Sequence, residues 1–162
     1  MNAPFDTRAL RAALGQFATG ITVVTAKGAD GQLAGLTVNS FASVSLDPPL
    51  VLWSLGDHSP ALNLFRECSH YAINVLAADQ VDISQRFATS QADKFAGLEW
   101  SGGLGGAPLL PGCLASFECR NETIHPGGDH IILIGRVERF TIQEGEPLLY
   151  FGGAYRGLAA SS

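Results

Sequence analysis

GLTVNSFASVSLDPP, from Gly35 to Pro49, alternates with the period-two rhythm of a β-strand. Thr37, Asn39, Ser43 and Ser45 fall on one face, and Leu36, Val38, Ala42 and Val44 fall on the other together with Ser40. The first face carries hydroxyls and an amide but no Lys, Glu or Asp. A solvated face is ordinarily built from such charges, so this one is suited to holding something polar. Ordinary strand alternation of Thr, Ser and Asn gives the same pattern, and the stretch alone leaves both readings open.

The segments around it read as a β-rich chain with a few helices. Upstream, Asp6 or Thr7 can cap a helix with Leu10, Leu14 and Phe17 on one face, ending near Gly20. Ile21 to Ala26 is a β-branched run, and the Asp30-Gly31 turn signal joins it as a hairpin to the polar-faced strand. Downstream, Asp47-Pro48-Pro49 interrupts the chain and Leu50 to Leu55 resumes it as a largely buried strand. Ser59-Pro60 has the form of an N-cap and first helical residue for a helix through Cys68. Tyr71 to Leu76 is a further strand, followed by a helix from a cap at Asp79 to about Ala88.

Leu98 to Gly112 holds five glycines and two prolines, which suits a surface loop. Two long strands follow, Cys113 to Ile124 and His130 to Ile142; Pro147 to Phe151 is the last, leading into Gly152-Gly153 and a short tail. Six or seven strands at this spacing, with helices inserted rather than alternating, point to a mainly β, antiparallel barrel.

Composition sets the outer bounds. At 162 residues the chain is expected to form a single domain spanning residues 1–162. Charged residues make up 15% of it, against about 25% in average globular domains, so much of its surface is expected to be covered, most simply in a homo-oligomer. A formal net charge of −5 and ten scattered Lys and Arg residues argue against a nucleic-acid partner. The N-terminus lacks the look of a targeting signal and no apolar run approaches the roughly 20 residues that span a bilayer, so a cytoplasmic protein without a membrane partner is expected. Cys68, Cys113 and Cys119 contain no CxxC pair and read as buried, reduced thiols. Trp53 and Trp100 read as core.

Several chemistries drop out on residue types. GxSxG, GxxxxGK[ST] and HExxH are all missing, and Gly102 to Gly106, GGLGG, does not make a GxGxxG. His58, His70, His125 and His130 lack ligand spacing with carboxylates or thiols, so no metal site is expected. Any redox chemistry here would belong to a cofactor.

The motifs occur in a meaningful order. GLTVNSFASVSLDPPLVLWSL is followed by NVL at Asn74 to Leu76, SQRFA at Ser84 to Ala88, Lys94-Phe95, GDH at Gly128 to His130, and YFGGAYRGL near the end. This combination, from about Gly15 to Leu158, strongly resembles the short-chain flavin reductase family. The resemblance implies a split β-barrel that binds FMN or FAD, a homodimer, and NADH- or NADPH-dependent reduction of flavin for a partner monooxygenase. It implies flavin contacts at Thr37, Asn39, Ser40 and Ser54, with Asn74, Val75 and Leu76 running beside the ring. Ser84, with Arg86 or Lys94 nearby, is then the candidate for the phosphate or outer part of the flavin, and Phe87 belongs to the same segment. Tyr155 and Arg156 can reach the pocket or the dimer seam. His130 resembles the family histidine that contacts the nicotinamide, where stacking and proximity supply much of the catalysis. A non-catalytic flavin- or haem-binding barrel is the alternative. An oxidase of the pyridoxamine-phosphate type is disfavoured by the sparse cations.

Overall fold

The computed structural model describes residues 5–160. The reading of the extreme N-terminus rests in part on residues 1–4, which lie outside that range. In chain order the elements begin with α1 (Thr7–Leu14), β1 (Thr19–Gly20), β2 (Thr22–Lys27), β3 (Leu33–Val38), β4 (Ala42–Leu46) and β5 (Pro49–Gly56). Next come α2 (Leu62–Glu67), β6 (His70–Val75), α3 (Val81–Ala88), β7 (Ser101–Gly102), a 3-10 turn (Leu104–Gly106) and β8 (Pro108–Leu109). The long strands β9 (Ala115–Gly127) and β10 (His130–Ile142) lead to β11 (Leu149–Phe151) and β12 (Ala154–Arg156).

Seven strands form the main antiparallel sheet in the order β3-β2-β6-β9-β10-β5-β4. The two edge strands, β3 and β4, are consecutive in sequence and joined only by Asn39, Ser40 and Phe41. Four Cα steps from Val38 to Ala42 reach about 14 Å, whereas the edges of a flat seven-stranded sheet lie about 29 Å apart. The sheet is therefore rolled until its edges approach, and the Asn39–Phe41 link crosses the seam. This is the split barrel expected from the sequence.

The seam explains where the period-two reading of Gly35 to Pro49 departs from the fold. That stretch is two strands rather than one, because the chain changes edge at Asn39 to Phe41, and a β-bulge between Ser43 and Ser45 breaks the alternation again. Leu36 and Val38 pack against the core, but Val44 and Leu46 are exposed, so the apolar face does not continue through β4.

Other boundaries shift for local reasons. Ser59 caps only the amide of Ala61, and α2 begins at Leu62; α3 starts at Val81, with Gln80 rather than Asp79 in the cap position. Asp6 does cap α1, accepting from Arg8 and Ala9, yet no residue of α1 is buried. After Gly152 and Gly153, whose φ angles of 59° and 79° fit a tight hairpin turn, the chain returns as β12 instead of trailing away.

The core has two parts. Trp53 sits at the centre of the larger, edge-on to Phe65 at 5.0 Å and to Tyr71 at 5.7 Å. The smaller part gathers Ile21, Leu76, Phe87, Phe95 and Cys113 beneath α3. Gly135 has no room for a side chain, since a Cβ there would overlap the Tyr71 hydroxyl and come within 2.9 Å of the Cys119 Cβ. Burial pushes the thiols up, to about 11 for Cys68 and Cys113 and about 12 for Cys119, so all three are protonated and inert. Trp100, in contrast to Trp53, is exposed.

The glycine-rich segment is anchored by a buried acid. Glu118 receives Arg139 through two bonds of 2.6 Å and the amide of Leu104 at 2.7 Å. Gly103 must be glycine for this approach, since a Cβ would stand 2.6 Å from the Glu118 carboxylate. The Arg139 bond holds the Glu118 pKa below the usual carboxylate value. A depressed carboxyl pKa contributes stability that is present above the unfolded-state pKa and lost as pH falls through the folded-state value. Urea midpoints measured from pH 7 downward are therefore expected to decline through the carboxylate range, and Glu118→Gln should flatten that decline; parallel curves would count against the Glu118 anchor.

Candidate functional site

Four residues singled out in the sequence meet at one small cavity. Thr37 and Asn39 at the end of β3, Ser84 on α3 and Tyr155 on β12 line a space of about 200 Å³, together with Tyr150 and Ile21. Thr37 Oγ1 donates to the carbonyl of Ser84 at 2.6 Å, which draws β3 onto α3. Ser84 Oγ and the Tyr155 hydroxyl lie 2.9 Å apart, which ties α3 to the C-terminal hairpin. The Gly152-Gly153 turn sets Tyr155 directly opposite Tyr150, and their rings meet edge-on at 5.8 Å. No lining residue is charged. Asn39 is exposed at the rim, and its amide has no hydrogen-bond partner among the described residues.

From Asn39 the polar line continues across the seam. The Ser40 hydroxyl accepts from the amide of Ser54 at 2.9 Å, so a side chain takes over where the β4–β5 ladder stops at Ala42 and Leu52. Thr22 performs the same service on the other edge, donating to the carbonyl of Val38 at 3.2 Å. Ser54 pairs with Ile132, and two residues further along the same ladder His130 stands opposite Gly56. Its Nδ1 lies 2.7 Å from Asp129 Oδ1. A carboxylate accepts only, so Nδ1 carries the proton and Nε2 is left free in the neutral ring. The bond to His130 in turn holds the Asp129 pKa below its ordinary value.

The remaining candidates lie behind or beside this line. Asn74 is fully buried: its Nδ2 donates to the carbonyl of Val23 at 3.0 Å and to Thr25 Oγ1 at 3.3 Å, while its Oδ1 accepts from the amide of Leu110 at 3.0 Å. These bonds occupy its amide, so the side chain anchors the Pro108–Leu110 segment and does not reach the cavity. Leu76 and Phe87 are core residues of the smaller cluster, and Val75 is half-buried opposite Thr22. Arg86 donates to the carbonyl of Ala96 at 3.1 Å, away from the cavity lining. Lys94 clips β3 to α3, donating to Gly35 at 3.1 Å and Phe87 at 3.0 Å. Arg156 is exposed opposite Leu149.

Two residues at the site were not singled out from the sequence. Tyr150 becomes legible once Gly-Gly is read as a two-residue hairpin turn, because the strand pairing then follows. Asp129 is legible as the carboxylate adjoining His130. Among the described residues no cluster of His, Cys, Asp and Glu could hold a metal ion, and no helix is long and apolar enough to cross a membrane.

Hydroxyls, an amide and aromatic walls without charge suit a neutral planar ring with hydrogen-bonding edges, such as the ring system of a flavin. Comparison with known proteins points the same way. The model of the flavin reductase like domain matches residues 14–159. The FMN reductase (NADH) SmoA of Agrobacterium fabrum is 50% identical over 150 residues, covering 93% of this chain and 85% of that protein. The reductase component of the flavin-dependent trigonelline monooxygenase of Acinetobacter baylyi is 46% identical over all of this chain, which spans 52% of that longer protein. The solved structure of the Streptomyces globisporus NADH:FAD oxidoreductase SgcE6, in complex with NAD and FAD fragments, superposes with a TM-score of 0.93 at 37% identity, covering 100% of this chain and 98% of that one. With a family model over nearly its whole length and a relative at half identity, the chain belongs to the flavin reductase like family.

Proposed function

We infer that this chain is an NAD(P)H-dependent flavin reductase that passes reduced flavin to a partner monooxygenase. The observation that carries the reading is the uncharged polar line from Ser84 and Tyr155 through Thr37, Asn39 and Ser40 to Ser54, ending two residues short of His130. A bound flavin would supply the hydride-accepting ring, and the chain's residues would supply its place. Asn39, Ser40 and Tyr155 are placed to satisfy polar edges, and Tyr150 to offer an apolar wall. His130, with its proton held on Nδ1 by Asp129, presents Nε2 to the nicotinamide and orients it. Nicotinamide and flavin then need only proximity and correct stacking, so no nucleophile from the protein is required. Residues 1–162 are read as one such unit. Its three buried thiols fit a reducing, cytoplasmic setting.

A homodimer fits the exposed apolar surface. Leu10 and Leu14 on α1 and Phe17 just beyond it are exposed, as are Leu46, Phe140 and Ile142 on the strands. Sedimentation is expected to give twice the chain mass; a monomer at micromolar concentration would remove the dimer from this reading.

Two variants separate the roles. Tyr155→Phe removes the bond to Ser84 and is expected to weaken flavin binding by about fivefold, roughly 1 kcal/mol, as read by quenching of flavin fluorescence. His130→Ala is expected to raise the KM for NADH or NADPH, or lower kcat, by about tenfold while flavin binding stays nearly intact. Unchanged kinetics at 340 nm in the His130 variant would refute its role, and saturable flavin binding without any turnover in the wild type would favour a non-catalytic barrel.

A further inference from the structure

The face of the sheet that carries Thr37 ends in a second recess. On five adjacent strands Thr37, Val23, Asn74, Ser116 and Thr141 stand opposite one another in a single row, and directly opposed residues share a face. Thr37 lines the cavity between β3, α3 and β12 at one end of the row, while Ser116 and Thr141 line a recess of about 610 Å³ at the other. Four strand spacings, about 19 Å along the sheet, separate the two ends. The recess and the cavity have no lining residue in common.

Its walls are fixed by bonds to their backbone. Ser101 pairs with Leu109 in the β7–β8 ladder, and the amide of Leu110 donates to Asn74 Oδ1 at 3.0 Å. Gln80 Nε2 donates to the carbonyl of Pro111 at 2.8 Å, and the amide of Gln143 to the carbonyl of Leu114 at 2.7 Å. The lining side chains are left over. Among the described residues the Glu99 carboxylate meets no cation, and the side chains of Ser101, Thr141 and Gln143 have no hydrogen-bond partner. Ser116 is buried and donates to Asn74 Oδ1 at 3.4 Å, which leaves its lone pairs for an incoming donor. Trp100 stays exposed even though Phe95 holds its ring edge-on at 6.3 Å, and Leu98, Leu109 and Leu110 add aliphatic wall.

The charge of this lining selects its ligand. Glu99 is the one charged residue in it, so an anion is repelled and a cation attracted. An indole beside an unpaired carboxylate is a setting in which a cation gains from both the ring face and the charge. We propose that this recess binds a small organic cation with an apolar body, with Glu99 as its counter-charge and Trp100 as its wall. Flavin and nicotinamide nucleotides carry phosphates, which Glu99 disfavours, so the ligand is of another class than the cofactors. The proposal goes beyond the flavin reductase reading and does not depend on it.

Benzyltrimethylammonium is the probe, with benzyl alcohol and benzoate as its neutral and anionic counterparts. The chain has two tryptophans, Trp53 in the core and Trp100 at the recess, so the indole N–H signals of the full chain report the site directly, with Trp100→Phe assigning them. The probe is expected to shift the Trp100 signal saturably and leave that of Trp53 in place. Glu99→Gln, at an exposed position, is expected to weaken the probe about fivefold, and benzyl alcohol to bind the wild type about fivefold more weakly than the probe, with benzoate weaker still. Thr141→Phe fills the recess from an exposed strand position without touching Glu99 and is expected to weaken the probe about tenfold. Saturating FMN or NADH should leave the probe's midpoint unchanged. Absence of saturation at millimolar concentration, equal binding of the alcohol or benzoate, unchanged affinity in either variant, or displacement by FMN or NADH overturns the proposal. FMN reduction by NADH is scored on the same preparation: its absence alongside intact, Glu99-dependent binding strikes the flavin reductase reading and leaves the recess standing.

Discussion

Three residues, Asn39 to Phe41, connect the two edges of a seven-stranded sheet, and their short reach is the constraint on which the molecule depends. Because they cannot bridge a flat sheet, the sheet must roll, and because they are not themselves a strand, the roll does not close into a continuous ladder. The result is a seam with unpaired backbone on both sides, which costs free energy unless something else satisfies those groups. Ser40 serves the amide of Ser54 and Thr22 serves the carbonyl of Val38. The hydroxyls that first look like a binding face thus have a structural task as well. The same seam leaves Asn39 uncommitted at the cavity rim.

Around that seam, the cavity is shaped by how closely α3 approaches β3. Gly35 has no Cβ, and one there would stand 2.5 Å from the ring of Phe87, so the aromatic ring lies directly on the strand. Lys94 then bonds both backbones at this contact, and Thr37 reaches the carbonyl of Ser84 one helical turn earlier on α3. Packing, a cation and a hydroxyl act on one pair of elements. The position of the Ser84 side chain, and through it Tyr155, follows from that pairing.

How much of this was legible in the sequence depended on the range of the interaction. Hairpins and strands with local signals were readable: Asp30-Gly31 turns β2 into β3, and the long β9 and β10 pair as neighbours, although β9 runs on past the expected Ile124 to Gly127. The edge change at Ser40 was not, because Ala42 to Ser45 resumes the alternation in the phase of Leu36 to Asn39, and its only local mark is Ser40 on the apolar side and Phe41 on the polar side. Asn74 shows the same limit at the site. Its place in the NVL motif suggested a ligand contact, but its amide bonds to Val23, Thr25 and Leu110, residues 51, 49 and 36 positions away in sequence. No local pattern encodes partners at that separation. Thr37, Asn39, Ser84 and Tyr155 were singled out through motif order, and the fold brings them to the lining of one cavity.

The distribution of charge separates what holds the barrel from what the cavity offers. Glu118 with Arg139, and His70 with Glu138 and Arg120, staple the middle strands β6, β9 and β10. None of these groups lines the cavity between β3, α3 and β12, whose polar side-chain atoms are hydroxyls and an amide. Had a carboxylate or guanidinium faced that cavity, it would have required its own counter-charge or a large desolvation cost whenever a neutral ring displaced water. Neutral dipoles avoid that cost, and they leave affinity to shape and a few hydrogen bonds.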